Sequence, residues 1–318
     1  MSRTTSYLEL VRAPAVLTVL GDTLAGGSAA GHSLGGRRMA LPLASACLYA
    51  GGMALNDYAD RDVDSRERPE RPIPSGRISP RNALTAASVL TVAGLGLSAA
   101  GGGRPALAVG LPLAAAIWSY DLLAKNHAIS GPLTMGACRA LDVLMGAGSG
   151  NLRPALGTAG IMGGHTVAVT LLSRGEVNGT TTTTTAGTVA AGTAVLAGAV
   201  VAGSGIIGGT GSAGRGQTEF AGVPLAGSAG ARLQVLAVLA ATAAYAIRCA
   251  PAQVKAARQP VAKNALDATK AGIRAMVPLQ AALTLRQGNL AAATVLASVD
   301  LAGKLLRSRP KSSRISES

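Results

Sequence analysis

Long apolar runs separated by short polar stretches dominate the chain. Runs of roughly membrane-spanning length lie near residues 14–30, 39–55, 82–100, 105–121, 131–149 and 154–172, with further candidates near 184–208, 230–249, 271–285 and 289–306. The last two are short enough to be tilted or to form one hairpin, so the pattern predicts nine or ten helices. Ala and Gly crowd these runs while Phe and Trp are scarce, which predicts close packing through small residues. The expected fold class is all-α, a multi-pass transmembrane helical bundle. One transmembrane domain is expected over 1–306, followed by a disordered basic tail over 307–318. The polar run from Thr180 to Thr185 reads as a loop.

Composition agrees and removes two classes. Charged residues make up 14 % of the chain against roughly a quarter in soluble domains, and the 48 % apolar fraction does not count the 42 glycines. A soluble globule is excluded. The net charge of +14 raises nucleic acid as a partner, but aromatic residues are only 2 % of the chain, too few to stack on bases. Nucleic acid is therefore not expected. Cys47, Cys138 and Cys249 are far apart and set in or beside apolar stretches, and read as small buried hydrophobes. No small-residue cleavage site follows the first apolar run, which is expected to be a retained helix.

The basic residues also orient the bundle. With ten segments and a cytoplasmic N-terminus, 21 Lys and Arg fall on the inside and seven on the outside, with Arg139 alone within a segment. The expectation is a multi-pass cell-membrane protein whose N-terminus and acidic loop are cytoplasmic.

Six of the fifteen acids, Asp57, Asp60, Asp62, Asp64, Glu67 and Glu70, lie in one short stretch after the second run. Continued as a helix at about 100° per residue, this stretch puts Asn56, Asp57, Asp60 and Asp64 on one face and turns Asp62 away. Carboxylates so placed repel unless a cation sits among them. Mg²⁺ fits, because it is typically held by a few carboxylate oxygens together with substrate phosphates. Arg68 and Arg71 follow in a Pro-restricted loop and suit diphosphate oxygens, so metal plus arginine points to a phosphate-bearing ligand. Asp62, Glu67 and Glu70 read as solvated charges.

The string Asn56-Asp57-x-x-Asp60-x-x-x-Asp64, followed by Arg68-Pro-x-Arg71-Pro-Ile-Pro-Ser-Gly, resembles the first aspartate-rich motif of the UbiA superfamily of intramembrane prenyltransferases. The resemblance continues in Leu10-Val-Arg12-Ala-Pro14 and in Tyr120-Asp121-x-x-x-Lys125, the latter resembling the loop whose lysine meets the diphosphate. It implies a bundle of about nine helices, an isoprenyl diphosphate held through Mg²⁺, and transfer of the allylic cation to an aromatic or other small lipophilic acceptor within the lipid bilayer. It implies further that Asp57, Asp60 and Asp64 with Asn56 hold metal and diphosphate, and that Arg68, Arg71 and Lys125 neutralise the leaving group. The chain departs from the family where a second Asp-x-x-x-Asp pair is usual. Arg174 and Glu176 stand there instead, Glu176 as a substitute metal ligand and Arg174 as a replacement positive charge. In this departure the chain resembles divergent, EboC-like branches.

Three signals stand apart from the acidic loop. Arg139 and Asp142 share a helix face in the fifth run and are expected to pair, with Arg139 a candidate substrate-binding group. Asp22 and His165 are further polar residues at membrane depth. Gly203-Ser-Gly205-Ile-Ile-Gly208 matches a dinucleotide-binding spacing, but without a preceding strand it reads as helix-packing glycine. The competing reading is a membrane transport or lipid- or diphosphate-binding protein without turnover, favoured by the missing second aspartate pair.

Overall fold

A computed structural model describes residues 3–16, 18–148, 151–176, 179–181, 184–188, 190, 192 and 229–308. Eleven α-helices and no strands occur among them. In chain order these are α1 (Arg3–Leu10), α2 (Ala13–Val16), α3 (Leu20–Ala29), α4 (Ala40–Ala59), α5 (Arg61–Glu67), α6 (Pro80–Ser119), α7 (Ser130–Ala147), α8 (Arg153–Ser173), α9 (Ala229–Arg258), α10 (Ala262–Leu285) and α11 (Leu290–Ser308). Among the described residues, four stretches are long and apolar enough to cross a membrane: Gly36–Ala59, Pro80–Ala124, Arg153–Ser173 and Arg232–Arg258. The chain packs as two compact units, one of Met1–Val167 with Ser298–Ser318 and one of Ala168–Ala297.

The first apolar run is not one helix. Amides of Ala15, Thr18, Val19 and Asp22 each bond the carbonyl three residues back, so tight turns separate α2 from α3. The Thr18 hydroxyl competes for the Ala15 carbonyl and reinforces the break. α6, by contrast, is two runs joined. Its interior carries Gly103 at φ 68°, ψ −159°, a conformation essentially confined to glycine. Trp118 Nε1 donates to Thr91 Oγ1 at 3.2 Å across 27 residues of sequence, a separation of about 40 Å in a straight helix. The chain therefore folds back at Gly103, and the separate runs at 82–100 and 105–121 form an antiparallel hairpin.

In the first unit, Leu41 and Leu48 of α4 pack with Val109 and Leu113 of the returning half of α6 and Met145 of α7. α3 and α7 meet backbone to backbone. A Cβ on Gly26 would lie 1.7 Å from the Val143 carbonyl oxygen, and one on Gly146 would lie 2.2 Å from that of Thr23. No side chain larger than hydrogen fits either position.

In the second unit, α9 and α10 form a second antiparallel pair. Leu172 packs with Ala256 and Ala268 at one end, and Val238 with Leu285 and Ala293 at the other. Gln234 Nε2 closes that end on the Leu285 carbonyl at 2.9 Å. The run near 184–208 falls outside the described residues beyond 192, as does the whole of Gly203–Gly208. The tail expected from 307 lies outside them from 309 onward, α11 extending to Ser308.

Candidate functional site

The helix through the acidic stretch is interrupted at Asp60, whose backbone lies at φ −90°, ψ 1° between α4 and α5. The Asp60 amide still bonds Asn56 and the Asp64 amide bonds Asp60, at 2.9 and 2.8 Å, so the one-face arrangement survives the break. Asp57 and Asp64 are buried while Asp62, Glu67 and Glu70 are exposed. After α5 the chain does not run free in solvent. Ile73 and Ile78 are buried with Leu10, Leu55, Ala83 and Ala87, and Gly76 at φ 73° turns the loop between them. The loop ends in a strong helix start, with Ser79 capping the Asn82 amide at 3.2 Å and Pro80 in the first turn of α6.

This anchoring delivers Arg71 to the carboxylates. Its Nη1 lies 2.6 Å from Asp64 Oδ2 and 3.5 Å from Asp57 Oδ1, and Arg71 itself is buried. Arg12, in the turn between α1 and α2, places Nη2 3.3 Å from the same Asp57 oxygen. Arg12 does so from φ 48°, a left-handed conformation uncommon outside glycine. One carboxylate oxygen thus faces two guanidinium groups.

The second arm comes from the end of the α6 hairpin. Residues Tyr120–Ala124 form a single π-turn, closed by the Lys125 amide on the Tyr120 carbonyl at 2.9 Å. Such turns insert one extra residue into a helix and redirect the side chains that follow. Here Lys125 Nζ reaches Asp60 Oδ1 at 2.5 Å. The same turn buries Asp121, whose Oδ1 accepts from Asn56 Nδ2 at 3.0 Å. Lys125 Nζ is buried and makes no hydrogen bond of regular geometry beyond this ion contact.

Asn56, Asp57, Asp60, Asp64, Arg71 and Lys125, all singled out by sequence, therefore come together at one end of the first unit. They do not converge on one point. Among the described residues no three His, Cys, Asp or Glu side chains are placed to hold a single ion. Asp57 and Asp64 meet at Arg71, Asp60 meets Lys125, and Asn56 meets Asp121. Arg68 lies beside this set with its side chain exposed. Arg174 and Glu176 belong to the second unit, Arg174 exposed and Glu176 half-buried just beyond α8.

Arg139 belongs to a different buried cluster. It pairs with Asp22 of α3 and also approaches the Thr18 carbonyl at 3.4 Å. The expected pairing with Asp142 is therefore not the principal one; Asp142 instead accepts from the Ser45 hydroxyl of α4 at 2.5 Å. The close α3–α7 approach at Gly26 and Gly146 brings Asp22 to Arg139. His165 is buried in α8. Sequence reasoning missed Asp121 as the partner of Asn56, although its spacing of four from Lys125 was a visible signal. It also missed the contact of Arg12 with Asp57, 45 residues apart, which no local pattern announces.

Comparison with known proteins identifies the family. The model of the UbiA prenyltransferase family matches residues 17–246. A digeranylgeranylglyceryl phosphate synthase of Methanopyrus kandleri is 34 % identical over 150 residues, 47 % of this chain and 55 % of that protein. One of Ignicoccus hospitalis is 37 % identical over 145 residues, 44 % and 46 % of the respective chains. A protoheme IX farnesyltransferase of Salinispora tropica is 40 % identical over 126 residues, 37 % and 38 % of the chains. The chain spans about half the length of the first two relatives and less of the third. Among solved structures, one from work on digeranylgeranylglyceryl phosphate synthase in membranes superposes with TM-score 0.56 at 17 % identity, covering 92 % of this chain and 100 % of that one. A UbiA homolog from Archaeoglobus fulgidus bound to GPP and Mg²⁺ gives TM-score 0.56 at 16 % identity, covering 91 % and 99 %. At such identities the likeness concerns the fold.

Proposed function

Because the chain belongs to the UbiA prenyltransferase family, we propose that it transfers an isoprenyl group from an isoprenyl diphosphate to an aromatic or other small lipophilic acceptor, within the membrane and with Mg²⁺. The observation that carries this reading is the alternation of charge at one end of the first unit. Buried Asp57 and Asp64 share the Arg71 guanidinium, and Asp60 holds Lys125. Such internal pairs can be exchanged: a divalent ion takes the carboxylates and a diphosphate takes the freed cations.

The donor set suits Mg²⁺, since Asp and Asn supply hard oxygen ligands and the Arg71 nitrogen between two buried carboxylates marks where positive charge is needed. Mg²⁺ is commonly held by one or two carboxylates plus substrate phosphates, so the three carboxylates need not all reach the ion at once. Asp57, Asp60 and Asp64, with Asn56, would hold it, and it would neutralise charge on the departing diphosphate. Lys125, Arg71 and Arg68 bind the phosphate oxygens, Arg71 and Arg68 bidentately and Lys125 as a point charge. Asp121 fixes the Asn56 amide. We assign the Arg139 cluster to acceptor orientation. Glu176 and Arg174, standing where the family's second aspartate pair falls, are assigned on sequence alone the roles of substitute ligand and fixed cation. The surrounding bundle keeps water from the allylic cation. The distribution of Lys and Arg supports nine or ten crossings with the N-terminus and acidic loop cytoplasmic.

The test is incubation of detergent-purified protein with Mg²⁺ and prenyl diphosphates of several chain lengths, measuring binding and diphosphate release. Mg²⁺-dependent binding that is lost on chelation and in Asp60→Ala is the expected result. If no prenyl diphosphate binds, or Asp60→Ala binds unchanged, the reading fails. Binding without release for any acceptor supports the non-catalytic alternative, which the missing second aspartate pair favours.

A further inference from the structure

Arg77 lies outside the acidic motif, yet it joins the two chain segments that carry the site's guanidinium groups. Its Nη1 donates to Glu9 Oε2 at 2.5 Å and its Nη2 to Glu9 Oε1 at 3.1 Å, a two-pronged contact across 68 residues. The same Nη2 donates to the Glu70 carbonyl at 2.5 Å, and Nε donates to Ser75 Oγ at 2.9 Å. Ser75 Oγ in turn donates to the Arg71 carbonyl at 2.6 Å. Glu9 sits three residues before Arg12, while Glu70 and Ser75 bracket Arg71.

These positions matter because Arg12 and Arg71 both approach Asp57 Oδ1, at 3.3 and 3.5 Å. Two guanidinium groups converging on one oxygen repel each other, and Arg12 is also held in an uncommon left-handed backbone. Something must hold their segments together when the carboxylate between them is drawn toward a metal. Leu10 supplies part of the hold by burying beside Leu55, Ile73 and Ile78. It fixes depth but not rotation. The planar fork of Arg77, with contacts to three separate residues, fixes the angle at which α1 lies on the loop.

Resting on the function proposed above, we infer that Arg77 and Glu9 are positioning residues for diphosphate binding: the Arg77 guanidinium staples α1 to the 68–79 loop so that Arg12 and Arg71 face one ligand together. Neither side chain needs to touch that ligand. Lysine at 77 keeps the charge but cannot span Glu9, the Glu70 carbonyl and Ser75 at once, and glutamine at 9 keeps the shape but loses the charge.

The test compares the full-length protein with Arg77→Lys, Glu9→Gln and the double variant, all purified in detergent and matched for helical circular dichroism. In ligand-free protein, the rate of trypsin cleavage after Arg12 reports the docking of α1. The Kd of Mg²⁺ with geranyl diphosphate reports the site. Both single variants are expected to speed cleavage and to weaken binding about tenfold, with kcat at saturation changed by no more than about twofold. The double variant is expected to be no worse than the worse single, as for two groups acting through one contact. Unchanged cleavage, or faster cleavage with unchanged affinity, overturns the inference. If the wild type binds neither geranyl diphosphate nor any of the longer prenyl diphosphates used in the test above, the function proposed above has failed and the positioning role falls with it, while the cleavage rates still show whether the staple exists.

Discussion

Asp57 and Asp64 are buried carboxylates that share the buried Arg71, Asp57 also facing Arg12, which makes Arg71 a folding residue as well as a proposed binding one. Removing one partner of a buried ion pair typically costs about 3–5 kcal/mol, because the other charge stays buried without compensation. Arg71→Ala should therefore lower the melting temperature in detergent. If the carboxylates are a Mg²⁺ site, added Mg²⁺ should restore much of that loss and stabilise the variant more than the wild type. A melting shift that ignores Mg²⁺ would count against Asp57 and Asp64 as ligands. Arg139→Ala is the contrasting case. It strands Asp22, which is fully buried, and its destabilisation of about the same size should not respond to Mg²⁺. The spacing of Asp57, Asp60 and Asp64 was legible in the sequence because helical periodicity alone puts them on one face. The choice of Asp22 over Asp142 as the partner of Arg139 was not, since it depends on how closely α3 approaches α7. Glu9 with Arg77 was equally invisible, being a contact between segments that only tertiary packing brings together.

At the scale of elements, two local departures from ideal helix geometry build the proposed site, the break at Asp60 and the π-turn at Tyr120–Ala124. The π-turn sets the direction of Lys125, and inserting one alanine after Leu123, an exposed residue within it, should advance the helix beyond it by one residue. Lys125 would then rotate by about 100° and leave Asp60. The expected outcome is a rise of about tenfold or more in KM for the prenyl diphosphate, since a charged contact is lost while the apolar packing of the hairpin stays. An unchanged KM would show that the turn is incidental. The small residues at helix crossings act on stability instead. Gly146→Ala places a methyl against the Thr23 backbone and should cost about 1–3 kcal/mol or more, read as a lower melting temperature with wild-type KM in the fraction that folds. Apolar runs predicted most helices because their length and composition suffice for that. They could not show that the first run is broken into turns or that Asp60 interrupts the second helix, as both depend on single residues that compete for backbone hydrogen bonds.

At the scale of the whole molecule, the charge distribution and the site make one joint statement. The acidic loop, the arginines between Arg61 and Arg81 and Lys125 must share a membrane face if they are to meet one diphosphate, and in the topology proposed above, drawn from the positive-inside bias, that face is the cytoplasmic one. Loops on the opposite face carry few basic residues, among them Arg37 and Arg38 between α3 and α4. Single-cysteine accessibility separates the two faces. In a background with Cys47, Cys138 and Cys249 replaced by alanine, Ser33→Cys lies on the exposed connection before α4 and Ser65→Cys on the exposed side of α5. A membrane-impermeant maleimide should label Ser33→Cys in intact cells and Ser65→Cys only after permeabilisation. The reverse pattern would place the diphosphate site on the outer face, where soluble prenyl diphosphates made inside the cell could not reach it, and would remove the physical basis for assigning the basic excess to leaving-group binding. Labelling of both positions in intact cells would instead show that the segment from α4 to α5 does not cross the bilayer, overturning the bundle topology inferred from the apolar runs.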